Sequence, residues 1–372
     1  SNKMSNRASI GNIVKLSIPI FFANLVIPLV AIVDTGLMGN LDNASYLTAT
    51  SIATSVFSLI FWSFGFLRMG TTGMVAQAYG SKNYDEIVNL IFRNIVFVIL
   101  MSLVLIFCHA YIFIIALNIF ELSAETTKYF KEYFEIRIYS SFGELMIYII
   151  TGLFIGLQRT TVSSVIVGFF SITNILLSLL FVTYFDLDVQ GVALGTLVSS
   201  TLTAVIFLCY TFLELQKFTS IKINVSKIFN LKKITKLFNI NFDIFVRSAF
   251  LTFSFLFFTY LGNTISEDVV AANTILLNLI MLSAFILDAY AFSTEGIVGY
   301  SIGSKDKKLL TDVIKNSFIL SATTGLLISI VYLFGKNHFI SIMTDLPDIK
   351  NLSLSHSYWV VLIPFLSSFC YQ

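Results

Sequence analysis

Charge is what this sequence lacks most. Asp, Glu, Lys and Arg make up only 12% of its 372 residues, about half the share of a soluble globular domain. A water-exposed surface over most of the chain is thereby excluded. Cysteine is scarce as well: Cys108, Cys209 and Cys370 lie far apart in apolar stretches. They form neither a disulfide framework nor a metal-ligand spacing, and they read as small core hydrophobes. No HExxH, GxSxG or glycine-rich phosphate loop occurs, which leaves a membrane enzyme without support. No cleavable signal peptide is visible, because the first apolar run is too long for one and no small-residue cleavage site follows it.

Apolar residues fill the chain instead, with 56% hydrophobic residues and a mean hydropathy of +0.87. Between polar punctuation the apolar runs predict ten helices, at about 10–39, 46–79, 86–117, 124–157, 161–185, 190–215, 236–262, 268–302, 308–335 and 351–371. Several exceed the bilayer minimum and are expected to tilt or project. The expected class is an all-α polytopic membrane protein. In the first helix about eighteen uncharged residues separate Lys15 from Asp34, enough to span a bilayer. Asp34 then lies within the apolar run, where a carboxylate costs at least about 2.5 kcal/mol and marks an ion or proton site by default. Pro19 and Pro28 remove two backbone donors from the same helix, so kinks are expected there.

Lys and Arg are also scarce in every second loop. The connections around Asp42, Asp186, Asp188, Glu267 and Asp268 carry none. Lys3, Arg7 and Lys15 precede the first helix, and Lys82, Arg93, Arg159, Lys305, Lys307 and Lys308 mark the even-numbered connections; Lys128, Lys131, Lys336 and Lys350 are a minority of exceptions. The N-terminus and the even connections are therefore expected on the cytoplasmic side. The sixth connection, Gln216 to Lys236, is long and basic, with Lys217, Lys222, Lys227, Lys232, Lys233 and Lys236. It reads as a cytoplasmic linker with an interfacial amphipathic helix, dividing the chain into a lobe at 1–215 and a lobe at 237–372.

A repeat supports that division. GTTGMVAQAYGSK at Gly70 matches STEGIVGYSIGSK at Ser293 with an offset of 223, which also pairs Gly39 with Gly262, Asn40 with Asn263, and Ala49 with Ala272. The matched helices run in the same direction, so the lobes are parallel repeats about an axis along the membrane normal, as in transporters that rock around a central cavity. The second copy stops in its fourth helix. Ten of twelve expected helices are thus present, and the chain reads as shortened.

These stretches together resemble the multidrug and toxic compound extrusion (MATE) family, in its DinF-like branch. The resemblance is carried by IPIFFANLVIPLVAIVDTGLMG at Ile18, GTTGMVAQAYGS at Gly70, GLFIGLQRT at Gly152, NILLSLLFV at Asn174 with GVALGT at Gly191, and FVRSAFL at Phe245 with LDAYAFSTEGIVG at Leu287. It covers essentially the whole chain. It implies two six-helix lobes and export of amphipathic, often cationic compounds driven by inward H⁺ or Na⁺, without a cofactor. It also implies a monomer in a bacterial-type cytoplasmic membrane, in contact with lipid and with small organic substrates but with no nucleic acid. A lipid-linked oligosaccharide flippase of the same superfamily is the alternative, against which the few intramembrane arginines argue.

By the same resemblance the cation or proton site falls on Asp34, Asn174, Ser178 and Thr196, with Na⁺ at Asp34 the sole metal expected. Asn174 and Ser178 are four apart, hence on one helix face, and all four residues share a depth in the outer half. Ser178 stands where many relatives carry a second acid, so two readings stay open: Asp34 as a lone proton carrier, or a weaker Na⁺ site. In the second lobe Asp288 and Glu295 are seven apart on one face, with Arg247 between them in depth. They form either a stabilising ion network or a substrate or proton site. Arg68 and Glu144, at similar depths, are expected to pair. Arg137 and His109 lie nearer the outer surface and are weaker candidates.

Overall fold

The structure is a computed structural model and describes residues 7–372, apart from the side chains of Leu256, Thr259, Tyr260, Asn263 and Glu267. Lys3 of the topology argument and the Asn263 side chain of the repeat lie outside the described residues. The described chain is helical throughout. In order it forms α1 (Ile10–Gly39), α2 (Ala44–Ser63), α3 (Phe66–Gly80), α4 (Tyr84–Phe107), α5 (His109–Ile119), α6 (Ala124–Arg137), a 3₁₀ turn (Ile138–Ser140), α7 (Ser141–Gly156), α8 (Thr160–Thr183) and α9 (Val189–Leu215). There follow α10 (Val225–Ile228), α11 (Leu231–Ile265), α12 (Glu267–Gly303), α13 (Lys307–Met343), α14 (Pro347–Ser355) and α15 (Tyr358–Tyr371).

All ten stretches expected to be helical are helical, although four are divided, the last by His356 and Ser357 between α14 and α15. Phe64 and Gly65 separate α2 from α3, Cys108 separates α4 from α5, and the 3₁₀ turn separates α6 from α7. Among the described residues eight helices are long and apolar enough to span a membrane, or nine if α14 and α15, bent by 45°, count as one. α1 runs on through Pro19 and Pro28. The linker ends earlier than expected, because the Asn230 side chain accepts from the Lys233 N–H at 3.2 Å and starts α11 at Leu231. It is also firmly docked. The Arg93 guanidinium donates from Nε to the Ile228 carbonyl at 2.9 Å and from Nη2 to that of Lys227 at 3.2 Å, while Lys233 pairs with Glu86 at 3.3 Å.

Lipid tails are as apolar as leucine, so helices in a membrane are held by close packing and polar bonds more than by escape from water. α7 illustrates this. In the span that contains it, 78% of the most apolar stretch is buried, against 22% for α1 and for α13. Its glycines admit neighbouring backbones: a β-carbon at Gly152 would lie 2.5 Å from the Arg68 carbonyl oxygen, and one at Gly156 would lie 2.8 Å from that of Thr72. Phe57, Phe130, Tyr133, Phe134 and Phe154 fill the space around α2, α6 and α7.

The repeat survives as geometry. Lys82 and Lys305 both take left-handed φ, 57° and 58°. Ser81 N bonds to the Gln77 carbonyl as Ser304 N bonds to that of Tyr300, and Asn83 caps α4 as Asp306 caps α13. The two helices that end there cross at small residues. A β-carbon on Gly80 would strike the Tyr300 carbonyl oxygen, one on Gly303 would strike that of Gln77, and one on Gly299 would lie 2.6 Å from Ala76 Cβ. Each of these contacts maps onto another, or onto itself, under the same offset.

Candidate functional site

α8 packs against both α1 and α9, and their shared surface holds the polar cluster. Asp34 is 6% exposed, and its Oδ1 has no hydrogen-bond partner among the described residues. On α8, Ser178 Oγ donates to Asn174 Oδ1 at 3.3 Å, while Asn174 Nδ2 donates to Thr196 Oγ1 of α9 at 3.2 Å. All three side chains are buried. Gly195 permits this closeness, since a β-carbon there would lie 2.5 Å from Ser178 Oγ. The Ser178 hydroxyl lies beside the Asp34 carboxylate. The four residues expected to form one pocket are therefore together. A cleft of about 520 Å³, lined by Val33, Leu37, Asn40, Leu179, Thr183 and Asp186, continues along the α1–α8 seam beyond them.

Arg137, read as a weaker candidate nearer the outer surface, lies at the end of α6 within electrostatic reach of Asp34. At the end of α6 the 3₁₀ turn carries its guanidinium onto Glu144 and Ser140, and Ser140 Oγ bonds to the same Glu144 oxygen at 2.9 Å. The cation lies 5.2 Å from the ring centres of both Phe57 and Phe61. Its charge reaches Asp34, while its Nε is buried without a partner among the described residues. The i, i+7 spacing of Arg137 and Glu144 across Ser140 was the available signal.

The expected Arg68–Glu144 pair is thus corrected. Glu144 is taken by Arg137, and Arg68 turns to Glu295 of α12 at 3.4 Å, with its guanidinium 3.8 Å over the Phe292 ring. Depth along two helices matched the wrong partners because it carries no information about rotation around their axes. Arg247 is exposed and reaches Met69 Sδ at 3.4 Å, so Glu295 takes its ion-pair partner from α3 and not from Arg247. Asp288 is half-buried within the electrostatic reach of both Arg68 and Arg247. His109 bonds through Nδ1 to the Ile106 carbonyl at 2.6 Å, a local role. Among the described residues no cluster of three His, Cys, Asp or Glu could hold a metal ion.

The MatE family model matches residues 19–180 and 244–371, which flank the linker and take in most of the chain. The chain belongs to the MatE family. The first of the matched MatE blocks contains Asp34, Asn174 and Ser178, the second contains Asp288 and Glu295, and Thr196 lies between them. DNA damage-inducible protein F of Escherichia coli (strain K12) is 30% identical over 358 residues, which are 96% of this chain and 77% of that one. A MATE structure in the bent conformation superposes with a TM-score of 0.88 at 17% identity, covering 100% of this chain and 82% of that one. An outward-facing multidrug resistance MATE family transporter of the MOP superfamily gives 0.86 at 17% identity, covering 98% and 80%. At those identities the structural likeness speaks for the fold. This MatE chain is a multi-pass membrane protein of a transporter family.

Proposed function

We propose that this MatE protein is a secondary active antiporter that exports amphipathic, cationic small molecules in exchange for H⁺ or Na⁺ by alternating access. The observation that carries the reading is Asp34: a carboxylate 6% exposed inside an apolar helix, with one oxygen unpartnered among the described residues and a polar cluster beside it. An unsolvated anion in that position gains a great deal from a cation. A proton needs only the free oxygen. Na⁺ would take that oxygen together with the Asn174 carbonyl and the hydroxyls of Ser178 and Thr196, whose mutual bonds would first have to turn.

Loading neutralises Asp34 and lets α1 and α8 close on the pocket, which favours the conformation that releases substrate outward. The coupling is a population shift, so the ion must bind one conformation better than the other. We place the two lobes at 1–215 and 237–372, with the N-terminus and the linker 216–236 in the cytoplasm, in a bacterial cytoplasmic membrane, as a monomer. Arg68, Arg247, Asp288 and Glu295 then serve the join between lobes. No observation favours the oligosaccharide flippase, since Arg68 and Arg137 are both engaged with acids.

Export is to be measured in sealed vesicles under separately imposed H⁺ and Na⁺ gradients, with the parent and with Ser178→Asp. Export driven by at least one gradient is expected, with Na⁺ dependence strengthened by the added acid. Export that follows neither gradient rejects the antiport reading.

A further inference from the structure

The observations reach furthest at the end of the molecule opposite Asp34. From Ile13 to Asp34 along α1 is about 32 Å at 1.5 Å per residue, and at the Ile13 end the parts that must separate are locked together in layers. Innermost, Arg68 pairs with Glu295 at 3.4 Å and Ser17 bonds to Ser293 at 2.6 Å. Next comes the α3–α12 crossing, where Gly80 and Gly303 bring two backbones into contact. Outermost lies Arg7. Its guanidinium sits 4.1 Å over the Tyr300 ring of one lobe and 5.9 Å from the Tyr79 ring of the other, rings that themselves meet edge to face at 5.4 Å. The same guanidinium donates to Gln158 Oε1 at 2.9 Å, at the end of α7.

The segment that carries Arg7 is anchored. Asn12 Nδ2 donates to the Arg7 carbonyl at 2.9 Å, Asn316 Nδ2 donates to that of Ala8 at 2.7 Å, and Ala8 and Ile13 are buried with Ile297, Tyr300, Leu309 and Val313. One cation thus touches the ends of α3, α7 and α12 together. We propose that the α3–α12 crossing is a gate, closed in this structure, and that Arg7 is the latch that sets how often it opens. The proposal rests on the alternating-access reading. A backbone-to-backbone crossing either fits or parts, which makes it two-state, and a cation shared between rings of both lobes stabilises only the fitted state.

The test uses the full chain in vesicles with Cys108→Ser, Cys209→Ser and Cys370→Ser. A single cysteine is introduced by Ala76→Cys or, nearly isosteric and so safe for folding, by Ser293→Cys. Alkylation by a membrane-impermeant maleimide is timed from each side. From the linker side the parent should label slowly, Arg7→Gln about fivefold to tenfold faster, and Arg7→Lys in between, in keeping with loss of a desolvated cation–π stack. Labelling from the Asp34 side should not rise, whereas general loosening would raise both. An Arg7→Gln rate equal to the parent's, or a rise from both sides, overturns the latch. No labelling from the linker side in any variant overturns the gate. If linker-side labelling rises as expected while neither gradient drives export, the latch stands and the antiport reading falls. Unchanged labelling with intact export means the opposite: the latch falls and the antiport reading stands.

Discussion

The two copies of the repeat make the same bonds after Gly80 and after Gly303, down to the left-handed Lys82 and Lys305. At the position of Asp34 they part company. The offset of 223 sets Phe257 opposite it, and where Asp34 is 6% exposed among hydroxyls and an amide, Phe257 is 48% exposed and stacks on Phe253 at 5.9 Å. Symmetry is kept where two helix ends must fit one another, because a contact between equivalent backbones constrains both copies at once. It is dropped where a single charge suffices, because a second buried acid would add its own desolvation cost. On the antiport reading proposed above, the asymmetry would put ion coupling in the first copy and closure in both.

The comparison is broken most severely by Asp34→Asn. Export under either gradient should be lost, while membrane insertion and thermal stability stay at the parent level; export retained in the vesicle assay would remove Asp34 from the coupling role. Next in size is Arg137→Gln, which strands Glu144 beneath the aromatic rings. A loss of about 3–5 kcal/mol is expected on denaturation in detergent, largely restored by Arg137→Met with Glu144→Leu. If the single and double variants are equally unstable, the ion pair is not the cause.

A smaller effect is expected from Asn174→Ala, which removes the shared partner of Ser178 and Thr196. The loss should be about 1–3 kcal/mol, read as a weakened ion dependence of export in the same vesicles with the fold intact. Smallest is Phe257→Leu on the other side of the comparison. Stability should change within about 0.5 kcal/mol and export not at all. A loss of export there would show that the second copy takes part in coupling after all.

Much of this is legible in the sequence. The ten helical stretches, the repeat, the basic linker and the meeting of Asp34 with Asn174, Ser178 and Thr196 all follow from spacing and resemblance. The misses lie in where side chains are carried. Arg68 and Glu144 have matching depths but face different neighbours. Arg137 looks peripheral because the 3₁₀ turn that swings it onto Glu144 has no marker in the apolar pattern. Arg93 counts among the loop charges, yet its side chain is 4% exposed and caps the linker helix. For Arg68 the deciding quantity is rotation about a helix axis, and for Arg137 and Arg93 it is a turn and a docked segment, none of which a count of residues along a helix contains.

The helices, and the turns that end two of them, were decided locally. An apolar run in a bilayer must satisfy its backbone bonds within itself, and a Gly-Ser-Lys sequence makes the same capped turn wherever it occurs in this chain. Which acid each arginine takes, and which backbones touch, was decided only by the packed structure. Arg68 was expected to pair with Glu144 at similar depth, and Glu295 became its partner because α12 crosses α3 at glycines narrow enough to bring the two within 3.4 Å.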